Sequence, residues 1–261
     1  VITEADIAHW RHHAPWPTSE QIEQDLVLSR LIVEIASHPL LSDELVFRGG
    51  TCLHKLWLRR PWRYSEDLDY VRRTSGGVGK IFDAIREIAE IVGFDRVHTD
   101  VRQHPKARLD STFVAGGRMR VKIELNTSER SPARPIVFKA FDVDSLWFTG
   151  TADVPTYALE ELAATKIRAV FQRKKGRDLF DLWLAVTQGG ASPTEIASCF
   201  SSYRPDGWTP ARAAANLEAK LEDREFAADV ERLVLDWPHD YSVSTAAQLA
   251  RTVFDEIESQ S

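Results

Sequence analysis

The stretch RYSEDLDY, residues 63–70, sets the acids Glu66, Asp67 and Asp69 against the apolar side chains of Leu68 and Tyr70. A period of two reads as a β-strand, and side chains two apart on a strand share a face. Asp67 and Asp69 therefore point one way and Leu68 the other. Two carboxylates held side by side repel each other unless positive charge sits between them. The pattern leaves two readings: a strand end with solvated charges, or a cation site.

The flanking sequence frames this strand. Upstream, ELVFRGGTCLHKLWL (residues 44–58) reads as strand, Gly-Gly turn and helix, and TSEQIEQDLVLSRLIVEIAS (18–37) has the apolar spacing of an amphipathic helix, through Ile22, Leu26, Leu28, Leu31, Ile32 and Ile35, begun at Thr18 or Ser19. Downstream, SGGVG (75–79) is a loop and KIFDAIREIAEIVGF (80–94) a helix ending at Gly93. Three extended stretches follow at 96–103, 107–116 and 118–127, the last two joined through Gly116 and Gly117 as in a hairpin. From residue 157 the pattern turns helical, punctuated by Gly176, Gly189-Gly190, Pro205, Pro210 and Pro238. The expected fold class is α+β: an α/β domain with an N-terminal helix over residues 1–155, then a helical domain over 156–261.

Composition sets the outer bounds. A chain of 261 residues with 43% hydrophobic and 28% charged content can bury a sizeable core. No run approaches the roughly 20 apolar residues of a membrane span. The opening VITEADIAHWRHHAPW lacks the apolar core of a signal peptide, so a cytoplasmic protein with no membrane partner is expected. Cys52 and Cys199 form neither a disulfide framework nor a cysteine metal motif, and the histidines show no metal-ligand spacing. The net charge of −6 argues against a protein that coats nucleic acid through its overall field. Within it, KIRAVFQRKKGR (166–177) carries Lys166, Arg168, Arg173, Lys174, Lys175 and Arg177 with no acid, the local asymmetry of an RNA-binding segment.

Chemistry follows from these placements. At a strand-to-helix turn, Gly49 and Gly50 let backbone N–H groups approach a phosphate, and Thr51 adds a hydroxyl. In VKIELN (121–126), Glu124 faces away from Ile123 and Leu125. If that strand lies beside Asp67 and Asp69, three carboxylates converge, a ligand set suited to Mg²⁺ or Mn²⁺. Plainer readings stand beside each of these: a solvated strand end, a surface ion pair at Glu124, a simple tight turn, a solvated helix face at Lys166 and Arg168, and a helix-capping Asp178.

FRGGTCLHKL, RYSEDLDYV and VKIELN together resemble the DNA-polymerase-β-like nucleotidyltransferases, with a glycine pair, a D-x-D pair and a third acid on a neighbouring strand. More narrowly, R-x-S-x-D-L-D and the later LEELAATKIRAVFQRKKGRDLFDLW (159–183) resemble the AbiEii-type toxins of type IV toxin–antitoxin systems, some of which modify the acceptor end of tRNA. The resemblance covers about residues 45–185. It implies Asp67, Asp69 and Glu124 as metal ligands and catalytic groups, with NTP as substrate. Arg48, Gly49, Gly50, Thr51, Ser65 and Lys166 would line the triphosphate, and Asp178 would join the site. It further implies transfer of NMP to RNA, tRNA first among the candidates, and a cognate antitoxin, an AbiEi-type winged-helix regulator. A phosphate on Ser65 would silence such a site. The alternatives are an aminoglycoside or protein side chain as acceptor, or a non-catalytic nucleotide- or RNA-binding module.

Overall fold

The computed structural model describes residues 1–102 and 104–260, so Gln103, at the end of the first of the three extended stretches, lies outside the described residues. It divides into two compact units: residues 1–56, 64–130 and 136–156 in the first, and 57–63, 131–135 and 157–261 in the second. Nothing in the sequence pattern marks the two short excursions, 57–63 and 131–135.

The first unit begins with helices α1 (Glu4–Trp10), α2 (Ser19–Ser37) and α3 (Pro39–Glu44). Thr18 caps α2, its hydroxyl accepting the Gln21 N–H while the Gln21 side chain accepts from the Thr18 N–H, a reciprocal pairing that fixes where the helix starts. All six apolar positions read from the period are buried. Strand β1 (Leu45–Arg48) runs into the short helix α4 (Gly49–Cys52), which widens into a π-helical turn over Leu53–Trp57, so the glycine pair opens a helix and is not a free turn. Then come β2 (Asp67–Arg72), α5 (Gly79–Val92), β3 (Arg96–Asp100), β4 (Lys106–Thr112), β5 (Arg118–Asn126), β6 (Val137–Asp144) and β7 (Thr149–Thr156). Gly93 closes α5 with a φ of 100°, a left-handed cap that glycine adopts without strain.

The seven strands form one mixed sheet in the order β3-β4-β5-β2-β1-β7-β6. Strands β2 and β5 pair in parallel, as do β1 and β7; the remaining neighbours are antiparallel. Helices α2 and α5 pack on one face, over the buried side chains of Leu68, Tyr70, Ala107, Leu109, Val121 and Ile123. Strand alternation leaves Asp67, Asp69, Arg108, Lys122 and Glu124 on the other.

One buried carboxylate ties α1, α2 and the π turn together. Asp25, 3% exposed, accepts the indole N–H groups of Trp10 (2.8 Å) and Trp16 (3.1 Å) and the Lys55 ammonium (2.6 Å). Trp10 and Trp16 are thus core residues with satisfied indole nitrogens.

The second unit is helical: α6 (Leu159–Gln172), α7 (Gly176–Thr187), α8 (Pro193–Phe200), α9 (Pro210–Leu221), α10 (Arg224–Glu231) and α11 (Val243–Ser259). Between α9 and α10, Asp223 caps the second helix, its side chain accepting the Glu225 N–H. Glu161, fully buried on α6, accepts the N–H groups of Ala133 (2.7 Å) and Arg134 (3.2 Å) and the Tyr203 hydroxyl, which fastens the 131–135 excursion. Among the described residues no helix is long and apolar enough to cross a membrane.

Removing Asp25 leaves a buried ammonium and two indole donors unmatched. Asp25→Ala is expected to cost about 3–5 kcal/mol, read as a lower urea midpoint by tryptophan fluorescence, with Asp25→Asn intermediate.

Candidate active site

Strand β2 carries the D-x-D pair at its start, and the parallel register with β5 sets Asp69 opposite Glu124 and Asp67 opposite Lys122. Residues directly opposite on paired strands share a face, so all four side chains stand on the open side of the sheet. Gly49, at the end of neighbouring β1, has a φ of 84°, and a Cβ built there would lie 2.3 Å from Asp69 Oδ2. Two independent constraints, conformation and space, therefore require glycine. Gly50 is buried inside α4.

The expected convergence of Asp67, Asp69 and Glu124 holds for the backbone register but not as a closed cluster. Among the described residues no three His, Cys, Asp or Glu side chains come together as a metal site. Between two of the carboxylates stands Lys122, whose ammonium lies 2.8 Å from Asp67 Oδ2 and 2.9 Å from Glu124 Oε1. Burial alone would lower its pKa; hydrogen bonds to the two carboxylates outweigh that and hold it above the ordinary lysine range. Lys122 sits two residues before Glu124, so the period-two rule that found Glu124 also points to it.

The hydroxyl of Thr51 donates to the Asp67 carbonyl oxygen (2.5 Å) and lies 2.8 Å from the Ser65 hydroxyl, linking α4 to the start of β2. Ser65 precedes the strand, which begins at Asp67 and not at Arg63 as the alternation suggested. Arg48 is paired with Glu129.

Lys166, Asp178 and the basic run lie in the helical unit. Lys166, 7% exposed, places its ammonium 2.8 Å from Asp181 Oδ2 and 3.3 Å from Asp178 Oδ1. Arg63 grips Asp181 through two bonds of 2.7 Å, and Arg173 reaches Asp178 at 2.7 Å. Asp178 and Asp181 are fully buried, so Asp178 does more than favour a helix start: the two carboxylates share three cations, of which Arg63 and Lys166 are buried with them while Arg173 is half exposed. Arg63 and Asp181 stand 118 residues apart, a separation that leaves no local signal in the sequence. Gly176 lets α7 approach α10, since a Cβ there would fall 2.0 Å from the Phe226 carbonyl oxygen.

The rest of the basic run is neutralised within its own unit. Lys174 pairs with Asp223, and Lys175 and Arg177 both pair with Asp229, at 3.2 and 3.6 Å. Arg168 lies over the Tyr203 ring, 5.6 Å from its centroid.

Asp67 and Asp69 thus stand on the open face of a mixed sheet, beside a glycine that admits no side chain. In fold the chain is similar to MenT4, the nucleotidyltransferase toxin Rv2826c of Mycobacterium tuberculosis H37Rv, which superposes with a TM-score of 0.62 at 18% identity, covering 99% of this chain and 90% of that one. JHP933 of Helicobacter pylori superposes with a TM-score of 0.59 at 15% identity, covering 93% and 95%. No curated protein matches the chain significantly in sequence. The family model "Nucleotidyl transferase AbiEii toxin, Type IV TA system" matches residues 30–248, and the chain belongs to this family. It is a nucleotidyltransferase toxin of a type IV toxin–antitoxin system, with a nucleotide substrate and an antitoxin partner.

Because a side chain at Gly49 must displace the Asp69 carboxylate, Gly49→Ala is expected to lower nucleotide transfer by about 100-fold or more while costing about 1–3 kcal/mol of stability. Parallel activity and thermal-unfolding measurements check the split.

Proposed function

We propose that the protein transfers NMP from an NTP to a terminal hydroxyl of RNA, with the 3′ end of tRNA as acceptor, and so blocks translation until its antitoxin intervenes. The observation that carries the reading is the pair Asp67 and Asp69 on the open face of a central strand, with Glu124 in register beside them. The acceptor oxygen attacks the α-phosphorus, a new P–O bond forms, the bond to the β-phosphate breaks, and pyrophosphate leaves with its electron pair. Glu124 would take the hydroxyl proton. Gly49 and Gly50 keep bulk away from the phosphates, and Thr51 and Ser65 offer hydroxyls beside Asp67.

The donor set fits a divalent cation. Asp67, Asp69 and Glu124 offer only hard oxygen ligands, and the Lys122 ammonium marks the point where this face already draws positive charge. Asp67 and Asp69 would hold Mg²⁺ or Mn²⁺, completed by Glu124. Bound there, the ion would offset charge on the triphosphate and the departing pyrophosphate.

Incubation with each labelled NTP, Mg²⁺ and total tRNA, resolved on a denaturing gel, is expected to give labelled or lengthened tRNA. Asp67→Asn and Asp69→Asn should each abolish the product while leaving the thermal unfolding curve near wild type. Transfer retained in both variants would remove the pair from the chemistry, and labelling of a small molecule or of protein in place of RNA would reassign the acceptor.

Lys122 gives a readout independent of activity. Without its ammonium, Asp67 and Glu124 face each other uncompensated, so Lys122→Met is expected to lose about 1 kcal/mol in EDTA, a figure kept small by the partial exposure of the pair. Mn²⁺ should restore the loss, stabilising the variant more than wild type in a thermal-shift titration.

A further inference from the structure

The same strand register that aligns the carboxylates extends the polar face away from them, across β5 and β4 to β3. The row that starts at Asp67 continues through Lys122 and Arg108 to His98, and the row that starts at Asp69 continues through Glu124 and Lys106 to Asp100. In the next row, Arg120, Asp110 and Arg96 stand in line. The face is polar because its alternate residues, Ala107, Leu109, Val121 and Ile123, are buried beneath it.

Positive charge on this face exceeds what its acids can match. Asp110 alone serves Arg118 (2.7 Å), Arg120 (3.1 Å) and His98 (3.5 Å), and Asp100 is held by Arg102 (3.0 Å). Arg96, Lys106 and Arg108 make no ion pair among the described residues. A hollow of about 420 Å³ opens beside Lys106 and Arg108, lined also by His98, Asp100 and Arg102. The basic run of residues 173–177 shows the opposite: each of its four cations is paired within its own unit.

From β2 to β3 the face spans three strand spacings, about 14 Å, beyond the reach of a triphosphate seated at Asp67 and Asp69. Cations laid out over that distance suit a chain of phosphates. We propose that the open face of β3, β4 and β5 is the track on which the phosphodiester backbone of the acceptor RNA lies, with its end delivered to Asp67 and Asp69. The inference rests on the RNA-acceptor reading and adds the surface that holds the RNA.

The test uses the full chain, fluorescently labelled total tRNA and a salt titration. Arg96→Glu/Arg108→Glu is expected to weaken tRNA binding about tenfold or more near 0.1 M salt and to flatten the log–log salt slope by about 1.4–1.8, the loss of two phosphate contacts. Affinity for a non-hydrolysable NTP should stay within about twofold, since neither residue belongs to the nucleotide machinery. Arg96→Gln/Arg108→Gln should flatten the slope equally with a smaller loss of affinity, and Lys174→Gln/Lys175→Gln should change both by far less. Matching circular-dichroism melts exclude misfolding. If wild-type protein labels tRNA but the double variants bind it with unchanged affinity and slope, the track is wrong while the RNA reading stands. If wild-type protein neither binds nor labels RNA, both fall. Loss of affinity for an acidic protein partner without loss of tRNA binding would give the face to that partner and overturn the proposal.

Discussion

The parallel pairing of β2 with β5 is the constraint on which the polar face depends. A parallel pair must be joined through other structure, and here α5, β3 and β4 intervene between the two strands, so their register is fixed by burial and not by a tight turn. Leu68 and Ile123, both fully buried, fall opposite each other, as do Tyr70 and Leu125. Slipping β5 by one residue would turn Val121, Ile123 and Leu125 toward solvent and drive Lys122 and Glu124 into the core, an expense no polar contact could recover. Hydrophobic burial on one side of the sheet thus aligns the charges on the other.

Charge is handled differently in the two units. On the open sheet face the ion pairs are partly exposed, with Lys122 at 33%, so a lysine can bridge two carboxylates without trapping them. In the helical unit Arg63, Lys166, Asp178 and Asp181 are almost wholly withdrawn from water. Such groups are tolerable only as a complete set, because removing one leaves its partner charged and buried. The first arrangement suits groups that exchange partners during chemistry. The second holds a geometry fixed.

Much of this was legible in the sequence. Period-two alternation in RYSEDLDY and VKIELN identified the strands and the faces of Asp67, Asp69 and Glu124, and the 3.6-residue period found α2 and α5 with their caps. What stayed hidden depends on the third dimension. Lys122 follows from the same alternation as Glu124, yet only the β2–β5 pairing puts its ammonium between two carboxylates. Residues 57–63, between Gly50 and Asp67, belong to the helical unit, where Arg63 meets an acid far along the chain. The acid-free run at residues 173–177 looked basic because its neutralising partners, Asp223 and Asp229, arrive some fifty residues later.

The chain passes between its two units five times, and this has a consequence for how the protein is made. Arg63 leaves the ribosome 118 residues ahead of Asp181, its bidentate partner. At roughly 5–20 residues per second that interval is about 6–24 s, during which residues 57–63 have no helical unit to join and the guanidinium must remain in water. The sheet can assemble around the growing chain in that time, but the 57–63 excursion cannot reach its final place until α7 has been synthesised. No single cut separates the units cleanly, so a fragment ending at Thr156 would carry two orphaned segments, one of them holding Arg63 without its acid.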